Sequence, residues 1–444
     1  MRNSYPLTWV PVPPGRIGQD DPVGGSEGGR LTAGRFDDEF LDGLRHVGDP
    51  PADEVVAACF ADMEGAEPSR LVRRLVGSPD VRASGRGPAE APAASTAATA
   101  GAGDPGVDAR VTAFLASEPP FPEWVDPALV AAGQERFARW GSHVFTALYA
   151  AALPTAYACW RGVPVLGRTA RLVTDAKRRL NETAQFHLDV MAPGGIDPGG
   201  RGIKDLLHVR LMHAAVRWMI LHDPVTPWDP ALGVPINQED LLETLLTFTE
   251  IVFEVFDRTG IVYTSEDADA YLHVWSLAGH MLGIRPDLLP LTRADTMVLM
   301  PHVRRRQFGP SDDGRMLTAA LLDQARRVAP PGLKGLPAAT VRFYVGDSTA
   351  DLLGVPPAGW TRGLFAPLAA LTRVLSAERA HRRLLTRLSD RAGFAMLQLA
   401  VRSERSGGRP PFAIPTELAD RWGVTATGAP KAGDRPGDPP AGRR

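Results

Sequence analysis

The chain has 444 residues, 44% of them hydrophobic and 23% charged, with a formal net charge of −2. It is long enough to bury one large core or two, and it is not disordered as a whole. Near-neutral charge excludes a generally basic nucleic-acid binder, which needs excess positive charge to displace counterions from phosphates. The two cysteines, Cys59 and Cys159, exclude a disulfide scaffold, a cysteine-based zinc site and an iron–sulfur cluster. Only Lys177, Lys204, Lys334 and Lys431 are lysines, against 45 arginines, a bias of the kind that genome composition produces.

The first thirty residues are rich in glycine and proline and lack the uninterrupted apolar run and twin arginine of an export signal, so the expected location is cytoplasmic. Phe36 to Val76 reads as two short helices packed on the main body, which makes residues 1–81 an N-terminal extension. Residues 82–107 are small and polar, without the bulky apolar side chains that offset ordering entropy, and read as a disordered linker. Within it Gly101, Gly103 and Gly106 match the dinucleotide-binding glycine spacing, but no apolar strand precedes them and Pro105 interrupts them.

From Asp108 the punctuation is helical. Gly141 to Trp160 contains no Asp, Glu, Lys or Arg and has about the length of a bilayer span. Its hydroxyls, His143, Pro154 and abundant alanine favour a buried helix of a soluble core, and no stable membrane insertion is expected. Helices are predicted near 169–190 and 203–221, then from the N-cap Asn237 to a stop at Gly260. Thr264 and Asp267 have the spacing of a capping box for a helix through Leu282, and further helices are predicted near 313–328, 360–377 and 378–404. Strand-like alternation is scarce, so the body, residues 108–405, is read as all-α, with 406–444 a C-terminal extension disordered toward its end.

The most informative helix runs from Ile203 to Leu221. It is apolar on nearly every face, yet Arg210, His213 and Arg217 fall at i, i+3 and i+7. Two guanidiniums on a buried helix need anionic partners, because they keep their charge while losing hydration. One reading supplies a cofactor: haem b carries two propionates and an iron that takes an imidazole. The other supplies acids from neighbouring helices, with His213 a satisfied core histidine. On the preceding helix Arg179, Glu182, Thr183 and Phe186 share an i, i+3, i+4, i+7 stripe, either a surface ion pair or a polar cluster facing a ligand.

Other constellations are weaker. His208 lies about 140° around the helix from His213, and His273 and His280 are about 10 Å apart along theirs, so neither pair suits one metal ion. Gly24 to Gly28 matches Gly-x-Ser-x-Gly outside any strand-turn-helix context. Glu378 to His381 is the only Glu-x-x-His, where a di-metal bundle needs two on different helices. There is no Cys-x-x-Cys-His for covalent haem, and Cys159 reads as a buried structural thiol.

Arg210-Leu-Met-His213-Ala-Ala-Val-Arg217 resembles the haem-ligand motif of the family that joins MpaB-type oxygenases to latex clearing protein, or rubber oxygenase. Arg179-Leu-Asn-Glu182-Thr183 stands where that family has its distal-pocket motif, and the segments from Pro235 and Thr264 onward follow in the family's order. The resemblance covers roughly Asp108 to Ala400. It implies a globin-like helical core holding one non-covalent haem b, with His213 as proximal ligand, Arg210 and Arg217 beside the cofactor, and Arg179, Glu182 and Thr183 on the distal side. The implied chemistry is insertion of dioxygen, as co-substrate, across a double bond of a hydrophobic isoprenoid or polyketide; no electron donor is indicated. The alternative is a non-catalytic haem-binding or sensing protein. Two departures matter: Glu182 occupies the place of the rubber enzyme's distal lysine, and no acid between Trp160 and Thr174 corresponds to its separate distal glutamate. Together with the missing export signal they argue against extracellular polyisoprene as the substrate.

Overall fold

The computed structural model describes residue 31 and residues 33–61, 105–168, 176–330 and 332–359, with isolated positions 363, 365, 367 and 372. The sequence-predicted helix 360–377 apart from those four positions, the helix 378–404, residues 82–104 of the linker, the Glu378–His381 pair and the C-terminal extension lie outside the described residues. What is described is all-α: the one extended feature is an isolated bridge between Cys159 and Phe308.

Two short helices come first, α1 (Asp38–Leu44) and α2 (Pro50–Ala61), followed by α3 (Pro105–Ala116). The first turn of α3 falls in the stretch read as linker. α4 (Pro127–Ala147) runs into a π-helical turn, Leu148–Ala152, and then α5 (Leu153–Tyr157). The charge-free stretch is therefore a buried but interrupted helix. Pro154 cannot donate into an α-helical ladder, and the wider turn ahead of it absorbs the misfit. No described helix is long and apolar enough to cross a membrane.

After α6 (Val163–Arg168) come α7 (Ala176–Met191) and α8 (Arg201–Leu221), an antiparallel pair that carries the motifs singled out above. Their close approach depends on Gly202, where a Cβ would lie 2.8 Å from Val190 Cα and 2.7 Å from the Gly195 carbonyl oxygen. Asn237 caps α9 (Gln238–Phe248) by accepting from Asp240 N. The single helix expected from Asn237 to Gly260 is broken at Thr249. There the hydroxyl donates to the Leu245 carbonyl at 2.8 Å and competes with the helical ladder, and α10 (Glu250–Thr259) starts afresh. Gly260 ends α10 in the left-handed conformation, as its position predicts.

The Thr264–Asp267 capping box opens α11 (Ser265–Met281), and both of its reciprocal hydrogen bonds are formed. α12 (Arg293–Gln307), α13 (Asp312–Val328), α14 (Leu336–Val345) and α15 (Asp347–Leu352) complete the described chain. The core sits where α4 crosses α11. A Cβ at Gly133 would collide with the Ala270 carbonyl, so only glycine permits this crossing. Phe137, Tyr271, Trp275, Phe253 and Phe256 fill the space around it.

α1 is part of this core, since Phe36, Leu41 and Leu44 are fully buried, and α2 packs on α8 through Ala52, Val56 and Cys59. Charge fastens them as well. Arg45, itself buried, donates to Glu239 and Asp240 of α9 at 3.1 and 3.0 Å and to the Leu232 carbonyl. Arg306 of α12 bridges Glu239, Asp38 and Asp42.

Candidate active site

A cavity of about 350 Å³ lies between the π turn, α5 to α9 and α11. That size suits a cofactor or small-molecule site. α8 presents Val209, Met212, His213 and Val216 to it, an i, i+3, i+4, i+7 stripe, and α9 presents Leu241, Thr244, Leu245 and Phe248 at the same spacing. α7 contributes Leu180, Glu182, Thr183 and Phe186. The remaining wall is mostly apolar and includes Phe145, Tyr149, Leu166 and Trp275.

Three sequence-predicted residues thus meet on one cavity: His213, Glu182 and Thr183. Glu182 is buried, with 4% of its surface exposed. The backbone of Arg179 is placed in α7, but its side chain lies outside the described residues.

Arg210 and Arg217 go elsewhere. Both leave α8 toward the N-terminal segment, where the anions that meet them are the chain's own. Arg210 grips Asp49 with two hydrogen bonds, at 2.6 and 2.7 Å. Arg217 pairs with Asp53 and donates to the carbonyls of Pro235 at 2.8 Å and Ile236 at 2.7 Å. Neither arginine lines the cavity. For these two side chains the geometry is the neighbouring-acid arrangement. Burial holds the Asp53 carboxyl above its ordinary range; the charge of Asp49 adds to this, and the pull of Arg217 is outweighed.

Arg217 nonetheless shapes the cavity. Ile236, a wall residue, has φ of 54°, a left-handed conformation strongly disfavoured for a β-branched side chain. The guanidinium clasps the carbonyls of Ile236 and its neighbour from behind, which is how the surrounding structure holds such a residue in place.

Sequence reasoning missed Glu243. It stands on α9 in the run Leu-Leu-Glu-Thr-Leu-Leu, lines the cavity and is 6% exposed. Its signal was present as a carboxylate flanked on both sides by leucines. Burial first, then the negative charges of Asp240 and Glu239, push its carboxyl up to about 8. The Cys159 thiol beside it is buried, in keeping with the structural role expected of it, and burial raises it well above the ordinary thiol range.

The other histidines do different work. His187 is enclosed by Phe137, Phe145, Phe248 and Trp275, and burial lowers it to about 3, so it is a neutral core ring. His208 is also buried, on another face of α8 from the cavity stripe, and is lowered to about 4. His273 accepts from Asp126 N at 2.9 Å, and His280 contacts the Pro120 carbonyl. Among the described residues no three His, Cys, Asp or Glu side chains cluster to hold a bare metal ion. A single imidazole, that of His213, on an apolar wall is a donor set that fits haem, which would bring most of its iron's ligands with it and would need the protein to supply one more.

Residues 132–377 match the family described as ER-bound oxygenase mpaB/B′/Rubber oxygenase, catalytic domain. The chain belongs to that family. It is 28% identical over 184 residues to the rubber oxygenase of Streptomyces sp. (strain K30), an alignment covering 41% of this chain and 45% of that protein. The chain therefore matches less than half the length of this curated relative. Among solved structures it resembles latex clearing protein in the closed state, with a TM-score of 0.56 at 22% identity, over 85% of this chain and 89% of that one. This second likeness concerns the fold, and it agrees with the all-α architecture. In this rubber oxygenase and MpaB family member, the matched region contains all of α7, α8, α9 and α11, and so most of the cavity wall.

Proposed function

We propose that the chain is a haem b-dependent oxygenase that adds dioxygen across a carbon–carbon double bond of a hydrophobic small molecule, of isoprenoid or polyketide type. One observation carries the reading: His213, from the motif that resembles the family's haem-ligand motif, stands on the wall of a large apolar cavity together with Glu182 and Thr183. Family membership supports the oxygenase class.

In this reading His213 holds the haem through one ring nitrogen, and the haem, when bound, supplies the iron at which dioxygen is activated. Everything else is the work of the chain. Phe145, Phe186, Phe248 and Trp275 exclude water and orient a hydrophobic substrate. Thr183 offers a hydroxyl that can donate to a reacting oxygen, and Glu182 holds or moves a proton at its carboxylate. Arg179 is assigned to the same distal side by the motif. Arg210 and Arg217, paired with Asp49 and Asp53, set the position of α8 and with it the direction of the His213 ring.

Purified protein should show a haem Soret band that His213→Ala abolishes, and it should take up dioxygen with an alkene-bearing substrate. Glu182→Gln should keep the band and suppress uptake. Protein that stays colourless after haem is added would overturn the reading, whereas a coloured protein with no oxygen uptake on any alkene would favour the non-catalytic haem-binding alternative.

A further inference from the structure

We propose that Glu243 is a hydrogen-bond-donating carboxylic acid of the cavity, and that the cavity therefore selects an apolar ligand bearing an accepting oxygen over the corresponding hydrocarbon. The inference deepens the functional reading and rests on it only in treating this cavity as the ligand site.

The geometry is that of a polar group built into an apolar wall. Glu243 is more than nine-tenths buried and lines the cavity. Its Oε1 has no hydrogen-bond partner, and its Oε2 meets the Thr244 hydroxyl only at the outer limit of a hydrogen bond, 3.5 Å. No cation faces it. On its own helix the nearby charges are Asp240 and Glu239, both negative, and the guanidinium of Arg45 is committed to those two. From the segment after α5 comes the Cys159 thiol, neutral at physiological pH, a weak hydrogen-bond donor to the Glu243 carboxyl whose lowering effect burial outweighs; its Sγ also lies 3.6 Å from the Thr155 carbonyl oxygen. From α7 and α8 the cavity receives Glu182 and His213.

An ionised carboxylate here would be desolvated beside two other carboxylates, so the proton stays on through neutral pH. A protonated carboxyl has one O–H to donate. A ketone, aldehyde or ether oxygen on the ligand can accept that hydrogen bond. A hydrocarbon such as bare polyisoprene leaves it unmade, which a buried polar group tolerates poorly. Selection against the hydrocarbon thus arises from a donor that only an oxygen-bearing ligand can satisfy.

Carvone and limonene share a carbon skeleton and two carbon–carbon double bonds and differ by one ketone oxygen. Calorimetric titration of the protein as purified, its haem content recorded by absorption, should give carvone about tenfold tighter binding than limonene at pH 7, the ratio expected of one added neutral hydrogen bond. Glu243→Leu should bring the ratio to about one. Glu243→Gln, whose amide still donates, should keep a preference that no longer changes with pH, whereas in the wild type it should fall above about pH 8 as the carboxyl ionises. Should the leucine variant fail to fold, the glutamine variant and the infrared band of a protonated carboxyl, present in wild type at pH 7 and absent in Glu243→Gln, decide the matter. Equal affinities in the wild type, binding of neither probe, or a ratio indifferent to both substitutions would overturn the proposal. Colourless protein with the carvone preference intact would instead sink the haem reading and leave this one standing.

Discussion

The two sides of α8 face different worlds. Toward the N-terminal segment every strong charge has its counter-charge: Arg210 with Asp49, and Arg217 with Asp53 and two carbonyls. Toward the cavity, His213 stands among Val209, Met212 and Val216, and across the space Glu243 keeps an oxygen without a hydrogen-bond partner. The first side is closed and built for stability. The second is an apolar cavity wall that carries a few polar side chains, the lining typical of small-molecule sites. The difference teaches that a charged motif on a buried helix divides its labour: the long arginine side chains reach sideways to fix the helix, while the shorter histidine projects straight into the cavity.

Substitutions on the two sides should therefore fail in different ways, and the largest stability loss belongs to the closed side. Arg217→Ala removes the ion pair with the partly exposed Asp53 and the clasp on Ile236, and it should cost about 2–3 kcal/mol of unfolding free energy in chemical denaturation, less than a fully buried pair because water reaches Asp53. On the proposed haem reading His213→Ala, about one turn away on the same helix, should cost far less while abolishing the Soret band. If the two losses were equal, the division of labour would collapse.

The cavity side should show itself as a pH dependence. Glu243 has a folded-state value of about 8 against an ordinary 4.5, so its contribution to stability is full below about pH 4.5 and is lost as pH rises through about 8. Unfolding free energy should decline across that window by up to a few kcal/mol, and Glu243→Gln should flatten the decline. Asp53 and Asp240, both raised chiefly by burial, act in the same direction. His187 and His208 act the other way: folded values of about 3 and 4 against 6.5 mean that their contribution is present above about pH 6.5 and is lost as pH falls. Thermal melts from pH 4 to pH 9 on wild type and Glu243→Gln separate these contributions.

The smallest effect belongs to a position remote from both sides. Thr264→Ala removes one half of the capping box of α11 and should cost about 1 kcal/mol with no change in haem binding or in ligand preference. A larger effect on the cavity would mean that α11, through Trp275, is set by its cap rather than by its crossing with α4 at Gly133.

Much of this was legible in the residues. Side-chain chemistry at helix ends is local, so Asn237, the Thr264–Asp267 box and Gly260 announced their helices and performed as their types require. The break at Thr249 was not legible, because the preference of a threonine hydroxyl for its own backbone competes with the ladder only once Glu250 is anchored by Thr296 and Arg293 from α12. The histidine on the apolar stripe was legible as a candidate from spacing alone. That both flanking arginines would pair with acids of the N-terminal segment was not, since those partners lie 161 and 164 positions away.

By itself the amino-acid sequence determined the helical class, the caps and the burial of α8, because periodicity and capping act over a few residues. Only the tertiary structure decided which anions meet the buried arginines that composition left without assignment. Asp49 and Asp53 claim Arg210 and Arg217, and Arg45 claims the acids next to Glu243. The physical reason is that a desolvated charge takes the best counter-charge within reach, and reach is a property of the folded chain, not of spacing along it.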